Sequence, residues 1–242
     1  MTVLVLGGTG EARQIAGKLA RAGRPAVVSL AGALRRPAPQ PLPLRIGGFG
    51  GEGGFRSYLE QAGISAVLDA THPFAARISA RSARVCADLG LPHALLNRPG
   101  WQAEPGDRWT TVAGAQEGSG HIPTGARVFL ATGRSTLADF ASLAPGRQLF
   151  LRVVDPPQEP FPYEGAYLVG RPPFDLTQEE ALLRDRRIDW LVAKNAGGAG
   201  GRPKLLAARN LGLPVLMLAR PPLPACRVLS TVEEAEAWLR TL

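Results

Sequence analysis

Short apolar runs and helix-period segments alternate almost from one end of this chain to the other, and that alternation constrains its fold more than any other feature. Val3 to Leu6 is an apolar run that ends at glycines, and residues 11–22 then place Ile15, Ala16, Leu19 and Ala20 on one helical face. Further strands are predicted at residues 26–30, 44–46, 66–69, 93–96, 127–131, 149–154, 166–169, 190–193 and 215–218. Helices are predicted at residues 55–62, 75–89, 135–141, 178–186, 202–211 and 232–239. Strands this short and apolar, interleaved with helices, predict parallel sheets covered on both faces. Residues 99–123 contain Trp101, Trp109 and several glycines but no long periodic run, so they read as the crossing between two domains, 1–110 and 111–242. The expected fold is α/β, with two open, mostly parallel (Rossmann-like) sheets. Such sheets bind ligands at the carboxyl ends of their strands, and two side by side leave a cleft.

A length of 242 residues and a 45% hydrophobic content suit two such domains. No run of about 18 uncharged apolar residues occurs, as a membrane span would need. The start of the chain lacks the charged and apolar regions of a signal peptide, so a cytoplasmic protein is expected. Cys86 and Cys226 are far apart, and His72, His93 and His121 are scattered, so neither a disulfide framework nor a metal site is expected. The net charge of +8 fits an anionic partner, or simply an arginine-rich composition with only three lysines. A 6% aromatic content, with no basic run or binding motif, argues against nucleic acid.

Four segments carry chemistry. Residues 7–13, Gly-Gly-Thr-Gly-Glu-Ala-Arg, follow the first strand and open a helix. Glycines there let the backbone turn tightly and approach a pyrophosphate at the helix N-terminus, although Arg13 stands where a third glycine would complete the dinucleotide fingerprint. The second strand ends at Ser29 and Leu30 with no acid to hold a ribose 2′-hydroxyl, and Arg35 and Arg36 follow. A hydroxyl and an arginine suit a 2′-phosphate, so NADPH is expected over NADH, unless the arginines are merely solvated. Residues 69–75, Asp-Ala-Thr-His-Pro-Phe-Ala, sit at the end of the fourth strand. Thr71 is expected to cap the next helix and Pro73 to fit its first turn. Neither role accounts for His72, which is expected to bind a substrate carboxylate or shuttle a proton. Residues 194–204 bring Lys194 and Lys204 around Gly197, Gly198, Gly200 and Gly201 before a helix, which reads as a second anion site or as a flexible loop. Thr132-Gly133-Arg134 is a weaker case of the same kind.

These motifs, together with residues 212–221, resemble the precorrin-6A reductase family, in order and over nearly the whole chain. Residues 69–75 are the most specific match. The family ordinarily carries a serine, and often an aspartate, after the lysine; Asn195 and Ala196 stand there in this chain, so only a backbone role carries over. The resemblance implies a cobalamin-pathway enzyme that transfers hydride from NADPH to one carbon of a polycarboxylate macrocycle and adds a proton at its neighbour, giving precorrin-6B. By position, Gly7, Gly8, Thr9, Gly10, Glu11 and Ser29 would hold the cofactor, with Arg35, Thr71, Gly197 and Gly198 beside it. His72, Arg134, Lys194 and Lys204 would lie near the substrate, and His72 and Lys194 are the catalytic candidates. The expected partner is precorrin-6A, with neither nucleic acid nor membrane involved and product handed to neighbouring pathway enzymes. The cobalt-containing substrate is one alternative, and a non-catalytic NADP-binding redox sensor is another. A sugar-nucleotide reductase is disfavoured because none of Tyr58, Tyr163 and Tyr167 has lysine four residues on.

Overall fold

Val3, Leu4 and Val5 are fully buried in the computed structural model, as a strand covered on both faces requires. The structure describes residues 1–32 and 39–242. In chain order the elements are β1 (Thr2–Leu6), α1 (Gly10–Arg21), β2 (Ala26–Leu30), β3 (Leu44–Ile46), α2 (Gly51–Gln61), β4 (Ile64–Asp69), α3 (Ala76–Asp88) and β5 (His93–Leu96). They continue with β6 (Trp109–Val112), β7 (Arg127–Ala131), β8 (Gln148–Val153), β9 (Gly165–Val169), α4 (Leu176–Asp185), β10 (Trp190–Lys194), α5 (Arg202–Asn210), β11 (Val215–Leu218), β12 (Arg227–Leu229) and α6 (Val232–Arg240). The helix expected at 135–141 is instead a 3₁₀ segment, Arg134–Phe140.

Among the described residues the strands form two six-stranded sheets, β12-β5-β4-β1-β2-β3 and β6-β11-β10-β7-β8-β9, and every strand pair is parallel. Their order is the same, with β1 and β7 near the centre and the strands that follow each of them winding outward on both sides. The sixth strand of each sheet is out of sequence. β6 follows β5 in the chain but joins the second sheet beside β11, and β12 follows β11 but returns to the first sheet beside β5.

That exchange corrects the expected division at residue 110. One unit comprises Met1–Pro99 with Pro221–Leu242, and the other comprises Gly100–Arg220. The chain end returns because α6 has an apolar face of its own. Val232, Ala235, Trp238 and Leu239 are buried with Ile15 and Leu19 of α1 and with Val3 and Val5 of β1. The opposite face of this sheet packs Leu4, Leu6 and Val67 against Phe55, Leu59, Val85 and Cys86. In the second unit Phe129, Leu191 and Met217 of the sheet pack with Leu183 and Leu205 of the helices.

Candidate functional site

The carboxyl end of the first sheet is built around the turn between β1 and α1. Thr9 is the N-cap of α1: its Oγ1 accepts from the Ala12 N–H at 3.1 Å and donates to the Ala70 carbonyl at 2.7 Å. One hydroxyl therefore ends the turn, starts the helix and ties both to the end of β4. A side chain on Gly7 would press at 3.2 Å on Val28 and Leu30 of β2, and Gly8 sits at φ +119°, which favours glycine. Over Gly8 and Gly10 the added carbon would meet nothing within 4 Å. Bare backbone thus borders open space where a helix presents its unpaired first N–H groups, an arrangement that fits a pyrophosphate. The Glu11 carboxylate, close by, is paired with Arg98 at 2.9 Å and is largely covered.

The other predicted residues of this unit gather at the same end. Ser29 is buried, and its carbonyl accepts from Gly7 N–H at 2.9 Å. Arg35 lies outside the described residues. Thr71 does not cap α3, which begins at Ala76 after Ala75; its N–H and hydroxyl both donate to Asp69 Oδ1, at 3.0 and 2.6 Å. Four residues separate Thr71 from the helix because 72–75 first make a turn, closed by Ala75 N–H on the His72 carbonyl. Pro73 belongs to that turn and not to the helix. His72 is exposed, and its Nδ1 accepts from the Phe74 N–H at 3.2 Å, so in the neutral ring the proton sits on Nε2. Thr71, His72, Asn97 and residues 221–224 border a recess of about 290 Å³.

In the second unit the glycine-rich segment after β10 has a defined structure, with Gly197 and Gly198 at φ +67° and +77°. Asn195 grips the backbone of Trp101 with both ends of its carboxamide: Oδ1 accepts from the N–H at 2.7 Å and Nδ2 donates to the carbonyl at 3.1 Å. The Trp101 indole N–H donates to the Gly198 carbonyl at 2.9 Å. A side chain on Gly201 would come within 2.7 Å of Trp101 and 2.9 Å of Lys204 Nζ. Lys204 donates to the Gly201 carbonyl at 2.9 Å and lies 5.4 Å from the Trp101 ring centre. Burial pushes its ammonium down to about 8, which nearby Glu179 opposes. Burial also lowers the pKa of Lys194, at the end of β10, against the opposing charge of Asp139. Arg134 is exposed just past β7, after Thr132, which is buried with no partner for its hydroxyl oxygen among the described residues. β7 and β10 pair directly, so Arg134 and Lys194 stand at the same end of this sheet.

Three features were not legible as site features in the sequence. Asn195, where the family ordinarily has a serine, acts through its carboxamide on the backbone of Trp101. Arg152 and Glu179 form a two-pronged ion pair, both contacts 2.7 Å, close enough for both charges to act on Lys204. Arg45 of β3 places its guanidinium beside Ser29; the one available signal was an arginine in the middle of a three-residue apolar strand.

A precorrin-6A reductase of Rhodobacter capsulatus is 48% identical, over 98% of this chain and 95% of its own length, and one of Rhodococcus erythropolis is 43% identical over 99% and 98%. A cobalt-precorrin-6A reductase of Methanothermobacter thermautotrophicus is 31% identical over 91% and 77%. Among solved structures, a CobK precorrin-6A reductase superposes with a TM-score of 0.94 at 46% identity, covering 100% of this chain and 96% of that one. The family model for precorrin-6x reductase CbiJ/CobK matches residues 2–240, and the chain belongs to that family of reductases.

Proposed function

We propose that the protein reduces precorrin-6A to precorrin-6B in cobalamin biosynthesis, with NADPH as the reductant. The observation that carries this reading is similarity along the whole chain to reductases named for precorrin-6A, at 43–48% identity. Relatives named for the cobalt substrate stand at 27–31%, which favours the metal-free macrocycle. A reductase of this family uses a nicotinamide cofactor; the choice of NADPH rests on β2 ending Ser29-Leu30 with no acid.

Bound NADPH supplies a hydride to one carbon of the macrocycle. The protein's own work is binding, orientation and proton placement. Gly7, Gly8, Gly10 and the first turn of α1 hold the pyrophosphate on backbone N–H groups, and Thr9 keeps that turn rigid through Ala70. Arg98 offsets the charge of Glu11, which otherwise would oppose a phosphate. Ser29, Arg35 and Thr71 serve the rest of the dinucleotide. His72 presents Nε2–H for a substrate carboxylate or the proton step. Arg134, Lys194 and Lys204 bind carboxylates, and burial makes the Lys194 ammonium a stronger acid than free lysine, suited to delivering the proton.

The test is absorbance at 340 nm with purified protein, precorrin-6A, and NADPH or NADH in parallel. Loss of absorbance with NADPH, in step with a change in the tetrapyrrole spectrum, is expected. Turnover of only the cobalt form, or nucleotide binding with no turnover of either, would overturn the assignment in favour of the cobalt substrate or a redox sensor respectively.

A further inference from the structure

Arg45 is a cation fixed in place, and among the described residues no carboxylate pairs with it. The register of the parallel pair β2–β3 sets Arg45 next to Ser29, so both side chains leave the same face of the sheet. Nη1 donates to the Gly47 carbonyl at 2.5 Å and lies 3.4 Å from Ser29 Oγ, and Nη2 donates to the Gly48 carbonyl at 2.7 Å. The guanidinium lies 3.8 Å from the ring centre of Phe49 and 5.1 Å from that of Tyr58. Phe49 is itself propped edge-on by the fully buried Phe55, at 4.8 Å between ring centres. Among the described residues no carboxylate forms an ion pair with Arg45, and Nε–H and one Nη2 hydrogen have no acceptor. Carbonyl oxygens and aromatic faces orient the cation without neutralising it.

Its position gives that charge a use. In a parallel sheet of this strand order, the end of the second strand is where the adenosine ribose of a dinucleotide lies once the pyrophosphate occupies the first turn. An acid there would hold a free 2′-hydroxyl; here a buried serine and an oriented guanidinium stand in its place. We infer that Arg45, with Ser29, recognises the 2′-phosphate of the cofactor's adenosine and so sets the preference for the phosphorylated dinucleotide. This rests on the NADPH reading above. The fork of remaining N–H donors suits phosphate oxygens, and the guanidinium is already ordered, so little freedom is lost on binding.

Calorimetric titration of the full chain with 2′,5′-ADP and with 5′-ADP tests this without turnover. The wild type is expected to bind 2′,5′-ADP about 10- to 100-fold tighter, the size of one charge-assisted contact to phosphate. Arg45→Gln should reduce that ratio to within a few-fold while leaving 5′-ADP affinity intact, and Arg45→Lys should fall between. The ratio of kcat/KM for NADPH over NADH should drop in parallel. The wild-type preference should also grow as pH rises through about 6, where a phosphate monoester gains its second charge. If Arg45→Gln weakens both nucleotides equally, Arg45 only shapes the loop at Gly47 and Gly48, and the inference fails. If the variant keeps the ratio, the 2′-phosphate is read elsewhere, and the inference fails while the NADPH reading stands. A wild type that does not distinguish the two nucleotides would sink the NADPH reading itself.

Discussion

Lys204→Met should make the protein more stable at neutral pH, because the wild-type fold holds an ammonium where it is poorly solvated. The Lys204 amine titrates at about 8, against 10.5 for the ordinary side chain, mainly through burial. Between those values the unfolded chain binds more protons than the folded one, so this residue makes stability rise with pH from 8 to 10.5. Below pH 8 the charged form costs about 3 kcal/mol relative to an exposed lysine. Methionine has similar length and no charge, and it can keep contact with the Trp101 ring. It forfeits the bond to the Gly201 carbonyl and the cation–ring contact, together about 1–2 kcal/mol. The net expectation is a gain of about 1–2 kcal/mol at pH 7, halved or less by pH 9.5, and reversed once the wild-type amine is neutral in both states. Urea unfolding of both proteins at pH 7 and 9.5, followed by tryptophan fluorescence and treated at constant slope, measures the difference directly. A variant less stable than wild type at pH 7, or a difference that does not change with pH, would refute the reasoning. A stabilised variant with impaired substrate binding would show why a costly lysine is kept there.

Three further outcomes are expected. Arg147 is buried and donates to the carbonyls of Ser119, Ile122, Leu143 and Pro145, so Arg147→Met should cost about 3 kcal/mol or more in denaturant unfolding by leaving those oxygens unpaired. Thr9→Val removes the cap of α1 and the tie to Ala70, and should cost about 1–2 kcal/mol and weaken 5′-ADP binding, read by calorimetry. Glu179→Ala strands the guanidinium of Arg152, whose side chain is 13% exposed, and should cost about 3–5 kcal/mol in thermal or urea unfolding.

Much of the candidate site was legible because its signals are local. Glycines at 7, 8 and 10 answer the needs of one tight turn, and Thr9 caps the helix that begins at the next residue. The role expected of Thr71 went wrong for a local reason too: its hydroxyl had a nearer acceptor, Asp69 two residues back, than the helix five residues on. The long-range partners were not legible. Arg98 finds Glu11 across 87 positions, and Asn195 finds Trp101 across 94. Nothing in the neighbourhood of either residue announces the other.

The alternation of short apolar strands with amphipathic helices, and the glycine turn that opens the first helix, were determined by the sequence alone, because backbone sterics and the burial of one helical face act over a few residues. Tertiary structure alone decided which sheet each edge strand joins. β6 and β12 each pair with a strand distant in the chain, Trp109 beside Val215 and Arg227 beside Ala94, and no local spacing announces either partner. It also decided that Arg45 stands beside Ser29, since that neighbour is set by the register between two strands and by no spacing along the chain.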